Sequence, residues 1–208
     1  MPIIAENTGG NYVPIPAGNH IARCYSMIQI GTIIEQQGIY AGKESHKVRL
    51  TWETPDEQHD FGKGLQPFSI SKEFTLSMHE KATLRKILES WRGKAFTEEE
   101  AKRFDVTKLL GKPCMLSVIH KTTQAGKVRA EISSVAGLPK NFECAPQVNK
   151  DQILSFDTWD EAVFESLPDF LKNKIKSSKE YASMVNPQHT EAPGISEHST
   201  NDDNDLPF

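Results

Sequence analysis

The sequence predicts a mainly β fold with one helical insertion, and three observations carry that prediction. Five stretches between residues 20 and 138 alternate apolar and polar side chains, the period of a strand with one buried face. Leu84, Ile87, Leu88 and Trp91 instead recur at i, i+3, i+4 and i+7, one stripe of a helix lying between the third and fourth stretches. Gln124-Ala-Gly126 then joins the last two stretches with the turn chemistry of a hairpin.

Taken in order, residues 1–17 mix Asn, Gly and Pro, and Pro14 and Pro16 interrupt any ladder or helix, so the segment reads as an arm. His20 to Glu35 predicts a long strand with Ala22, Cys24, Ile28, Ile30 and Ile34 in one phase, Arg23, Tyr25 and Gln29 in the other, and Gly31 as a bulge. His46 to Glu53 predicts a second, with Val48, Leu50 and Trp52 inward and Lys47, Arg49 and Thr51 outward. Residues 54–67 are rich in turn formers and predict a loop; Phe68 to Leu76 follows as a third strand whose apolar parity is interrupted by Lys72. Ser77-x-x-Glu80 has the form of a capping box opening the helix that Gly93 ends, and Thr97-x-x-Glu100 opens a short helix burying Ala101 and Phe104. Pro113 to Leu138 supplies the hairpin, with Leu116, Val118, Val128, Ala130 and Ile132 inward. Three strands, a helical insertion and two strands is the order of a five-stranded Greek-key barrel of the OB type, assigned here to residues 18–149. Residues 150–185 predict a helical appendage, with a third capping box at Thr158-x-x-Glu161 and a helix opened by Pro168. Residues 186–208 are polar and acidic and predict a disordered tail.

A chain of 208 residues, 37% hydrophobic and 25% charged, suffices for one domain with appendages. Its longest charge-free apolar run, Cys24 to Ile34, is half of what a bilayer requires, and the N-terminus lacks a signal-peptide layout. Cys24, Cys114 and Cys144 are odd in number and widely spaced, which favours a reducing compartment. The net charge of −4 conceals a gradient: residues 43–140 sum to +5, whereas residues 186–208 hold five acids and no Lys or Arg.

Cations that track phosphates and flat side chains that stack on bases are the requirements of single-strand binding, and both are present. Arg23, Tyr25, Lys47 and Arg49 fall on outward phases, Tyr40 and Lys43 in the loop joining the first two strands, and Lys121, Lys127 and Arg129 around the hairpin turn. Lys72 adds a cation to the third strand. Singly each is as readily a solvated surface residue; convergence on one face is what points to nucleic acid. Trp52 and Trp91 lie in apolar phases and are expected in the core and Trp159 in the appendage, leaving Tyr25, Tyr40, Phe61 and Phe68 as stacking candidates. Enzyme readings find little support. No Gly-Lys pair continues into a phosphate loop, no nucleophile elbow or zinc-protease motif occurs, and no cofactor is expected. Asp56, Glu57, His59 and Asp60 crowd one segment and could hold a metal, yet a solvated acidic loop is the commoner outcome.

The last residues, Asp202, Asp203, Asn204, Asp205, Leu206, Pro207 and Phe208, resemble the C-terminal tip of bacterial single-stranded-DNA-binding proteins, with Leu206 before Pro and Asn204 interrupting the acids. Residues 12–185 resemble bacteriophage-encoded single-strand-binding proteins through IPAGNHIARCY, LRKILESWRGKAFTEEE, LLGKPCMLSVIH and AEISSVAGLPK. The resemblance implies a non-enzymatic accessory protein of phage replication, recombination or repair, acting in the cytoplasm of a bacterial host. Its tip would recruit partner enzymes, with Phe208 in an apolar pocket and basic residues holding the acids. RNA in place of DNA, a protein adaptor that binds no nucleic acid, and association into a homo-oligomer all remain open on the sequence alone.

Overall fold

The computed structural model describes residues 13–36, 38–62 and 64–187. Its organising element is β1 (Gly18–Ile34), followed by a 3-10 turn (Gly38–Tyr40), β2 (Glu44–Asp60) and β3 (Leu65–Thr75). Next come α1 (Thr83–Arg92), α2 (Glu98–Lys102), a second 3-10 turn (Val106–Leu109) and the hairpin of β4 (Pro113–Thr122) and β5 (Val128–Ala136). A short β6 (Gln152–Leu154) precedes α3 (Glu161–Ser166), α4 (Asp169–Lys176) and α5 (Lys179–Val185).

The strands form one sheet in the order β3-β2-β1-β4-β5, antiparallel throughout, with β6 added parallel to β1. β1 serves three partners: Gly18–Arg23 pair with β4, Arg23–Ile34 with β2, and Ser26–Ile28 with β6. Two register shifts, at Cys24/Ser26 and Gln29/Gly31, let one strand do this, and Gly31 takes the positive φ of 91° that a side chain disfavours. The shifts also correct the single inward phase expected from sequence. Ala22, Cys24 and Met27 enter the main core, Ile28, Ile30 and Ile33 enter a second one, and Ile34 is exposed.

The expected closed barrel of five strands is not what the backbone ladder forms. Among the described residues β3 and β5 do not pair, and the sheet is open with six strands. In place of that ladder, the Lys72 ammonium crosses from β3 and donates to the Ile132 carbonyl of β5 at 2.7 Å. The apolar stripe of α1 (Leu84, Ile87, Leu88, Trp91) packs into the same core as Phe74 and Ile132, and Trp91 Nε1 donates to the Pro113 carbonyl at 2.9 Å. Trp52 and Trp91 lie in that core with ring centroids 6.0 Å apart, as their phases required.

Local departures have local causes. The turn formers of residues 54–67 do not make a broad loop: β2 continues to Asp60 past a register shift at Thr54/Gln58, and β3 starts at Leu65. Val128 sits at the hairpin end, 46% exposed, beyond the reach of the core. The Ser77 box does not cap a helix, since α1 starts after Ala82 without a side-chain cap. At the third box, Asp160 rather than Thr158 accepts the amides of Ala162 and Val163. Thr97 and Glu100 do form a reciprocal capping box, and Gly93 ends α1 in the left-handed region. In the N-terminal arm Ile15 is buried with the main core.

Carboxylates lock the helical insertion. The Phe96 amide and then the Arg85 guanidinium hold Glu89 below the ordinary carboxylate range; the Thr97 amide and Arg92 do the same for Glu100, and the Thr107 hydroxyl and amide for Asp105. A carboxylate whose folded pKa is depressed stabilises above its unfolded value and loses that contribution as pH falls through the folded one. The urea midpoint is therefore expected to hold from pH 7 to pH 5 and to fall below about pH 4. A midpoint flat down to pH 2.5 would contradict this.

Candidate nucleic-acid interface

The loop between β1 and β2 is tied shut by its own backbone. The amides of Glu35, Gly42 and Lys43 donate to the carbonyls of Lys43, Glu35 and Tyr40 at 2.9, 2.8 and 2.9 Å, with Gly42 at φ 79°. This closure leaves the Tyr40 ring 61% exposed, with the Lys43 ammonium 5.9 Å from its centroid. Tyr40, Lys43, Lys47 and Lys72 all line one groove of about 600 Å³, so four of the residues expected from sequence come together. His79 and Lys81, from the segment entering α1, complete its basic side, and Glu35, Glu44 and Glu73 border it. Sequence reasoning missed His79 and Lys81, which no periodicity marks because they lie in irregular backbone.

The cations of the groove are not equally available. Lys47 is ion-paired to Glu35, whose carboxyl is held below its usual range chiefly by that contact. Lys72 is spent on the Ile132 carbonyl. Lys43 and Lys81 make no ion pair among the described residues, so they and the Tyr40 ring are what a ligand would meet.

Other expected residues lie elsewhere. Arg23 projects from the outer face of β1, but its guanidinium donates to the carbonyls of Gly111, Cys144 and Ala145 at 2.8, 2.9 and 2.8 Å. Opposite it on β2, Glu53 is wholly buried and accepts the amides of Val148 and Asn149 at 2.7 and 2.8 Å together with the Asn149 side-chain amide. A strap of residues 144–149 thus lies across this face, its carbonyls held by a cation and its amides by an anion. Arg49 reaches Glu73 at 3.3 Å and lies over the Phe170 ring of α4, 5.4 Å from its centroid; Lys174 of α4 pairs with the same Glu73. The outer face expected to track phosphates is therefore largely overlaid by the chain's own C-terminal third. The alternation of β1 and β2 marks which residues point outward and carries no information about a segment a hundred residues later that covers them.

The Tyr25 hydroxyl donates to Ser69 at 3.4 Å, and burial pushes its phenol pKa up. Phe68, expected as a stacking platform, is instead only 9% exposed, because it shares the inward parity of Ile70 and Phe74 on β3 and enters the main core with them. His59 stacks on it with centroids 5.6 Å apart and meets Phe61 edge-on at 4.9 Å; Phe61 keeps 43% of its surface exposed. In the hairpin of β4 and β5, Lys121 pairs with Glu131 at 2.7 Å, while Lys127 and Arg129 are exposed without an ion pair among the described residues.

The acidic segment considered for a metal is otherwise employed. Glu57 pairs with His20 at 2.6 Å, and Asp60 accepts the amides of Gly62 and Gly64 at 2.8 and 3.1 Å, closing the turn. Among the described residues no group of three His, Cys, Asp or Glu side chains is arranged to hold a metal, and no helix is long and apolar enough to cross a membrane. The cysteines are free thiols; burial pushes Cys24 up to about 12 and Cys114 well above its ordinary value. The tip residues Asp202, Asp203, Asp205, Leu206, Pro207 and Phe208 lie outside the described residues. In comparisons with known proteins, no family model matches the chain, and no curated protein matches it.

Proposed function

We propose that this chain binds single-stranded DNA without strong sequence preference, as an accessory protein of phage DNA replication, recombination or repair, and that its acidic C-terminal tip recruits partner enzymes. The observation that carries the reading is the groove at the β1–β2 loop, lined by an exposed tyrosine and by Lys43 and Lys81, which make no ion pair among the described residues. An aromatic platform with flanking cations is the minimum equipment for holding an unpaired base and its phosphate. The strand order supports a finer reading of the fold as a distorted OB barrel. β1 splits its pairing between β2 and β4, a helix lies between the third and fourth strands, and the seam between β3 and β5 is bridged by Lys72.

Binding is expected to depend on stacking more than on charge, because Lys47 and Lys72 are already partnered. Replacing Tyr40 by Ala should weaken binding of a labelled oligo-dT by about 2 kcal/mol, roughly thirtyfold, with little change in salt slope. Fluorescence anisotropy at two salt concentrations, with a duplex of equal length beside it, measures this. Equal affinity for duplex and single strand would remove the reading. Failure to bind any oligonucleotide would leave the chain as a protein adaptor.

A further inference from the structure

The helical insertion carries a second cleft, of about 810 Å³, that shares no lining residue with the groove at Tyr40. Its floor is the edge-to-face pair Phe96 and Phe104, centroids 4.8 Å apart, with Phe96 buried and Phe104 half-buried against the main core. Arg92 lies over Phe96, its guanidinium carbon 4.2 Å from the ring centroid, and Glu100 accepts from one of its nitrogens at 3.3 and 3.4 Å. The guanidinium is thus fixed on the ring before any ligand arrives. Around it Lys102, Arg103 and Lys108 are exposed and make no ion pair or side-chain hydrogen bond among the described residues. Four cations face two carboxylates, Glu99 and Glu100, and Glu100 is already committed to Arg92 and to the Thr97 amide.

Three unpaired cations around an aromatic floor repel one another, and a polyanion with flat, stackable groups relieves that repulsion while using the floor. A strand of nucleic acid has both properties. We propose that this cleft is a second single-strand subsite, in which Lys102, Arg103 and Lys108 neutralise backbone phosphates beyond those held at Tyr40 and the Arg92–Phe96 stack receives a base. The proposal rests on the nucleic-acid reading above and extends it to the number of nucleotides one chain covers.

The test uses the full chain with all three exposed cations reversed (Lys102→Glu, Arg103→Glu, Lys108→Glu), with an unchanged thermal melt as the check on folding. Anisotropy titrations of labelled dT8 and dT30 are compared with those of the Tyr40→Ala chain. The reversed chain is expected to bind dT30 at least tenfold more weakly, with a salt slope shallower by about 2, and to bind dT8 as the parent does. The Tyr40→Ala chain should weaken on both lengths. Unchanged dT30 affinity, or an equal loss on dT8 and dT30, would overturn the second subsite while leaving the groove intact. Unchanged dT30 binding with lost affinity for a peptide of residues 199–208 would overturn it in favour of an acidic-peptide site. A parent chain that binds neither oligonucleotide would overturn the proposal and the nucleic-acid reading together.

Discussion

Replacing Glu53 by Ala is expected to lower the unfolding free energy by about 3 kcal/mol, far more than a surface carboxylate is worth. The side chain is wholly buried between β2 and the strap and satisfies three N–H donors, two of them backbone amides. Alanine would leave those donors without the carboxylate beneath the strap, and the cost includes that of polar groups left unpaired and not merely the loss of a bond. Urea denaturation gives the magnitude. Limited trypsin digestion gives the location, because Lys150 adjoins the strap and cleavage there should accelerate severalfold. A loss under about 1 kcal/mol with unaltered digestion would mean that the strap is held by something other than Glu53.

The second large effect is expected at Gly31. Its φ of 91° already strains any side chain, and a Cβ built there would lie 2.7 Å from both Ser178 Cβ and Glu180 Oε2. Ser178 caps α5, and Glu180 accepts the Thr32 amide and hydroxyl, both at 2.6 Å. Burial pushes the Glu180 carboxyl up, but the Thr32 bonds, together with weaker contributions that include His46, more than offset it and leave it below its ordinary range. Valine at this position should therefore push α5 off β1 at a cost of about 3 kcal/mol, a fall in Tm of about 10 °C. Trp159 packs among Phe156, Phe164 and Tyr181, so its emission should shift to the red, whereas Trp52 and Trp91 remain in the main core. A Gly31→Val chain with parental Tm and emission would show that α5 does not depend on that contact.

The regular elements were legible where one interaction dominates. The stripe of α1 and the alternation of Val48, Leu50 and Trp52 are dictated by burial of one face, and the structure buries those residues. Capping was legible at Thr97, where the residues that follow it are helical, and misleading at Ser77 and Thr158, where a box-like spacing sits in irregular backbone. β6, the split of β1 between two cores and the strap over Arg23 and Glu53 were not legible, because each joins residues 95 or more positions apart. The same holds for the candidate site. Tyr40 and Lys43 followed from a local loop, whereas the commitment of Lys72 to Ile132 and of Arg49 to Glu73 and Phe170 depends on the tertiary fold.

The pairing of β1 also sets an order of assembly. It is the first strand of the sheet to be synthesised, and its partners lie at residues 44–60, 113–122 and 152–154. Until Leu154 and the helices beyond it leave the ribosome, Ile28, Ile30 and Ile33 lack the apolar partners that, among the described residues, bury them. The nascent chain therefore carries an uncovered β-branched stretch for most of its translation, and closing contacts of such sequence separation is slow. The C-terminal helices thus act as the step that completes the first strand, and a chain stopped before residue 150 would present that stretch to chaperones and to other chains.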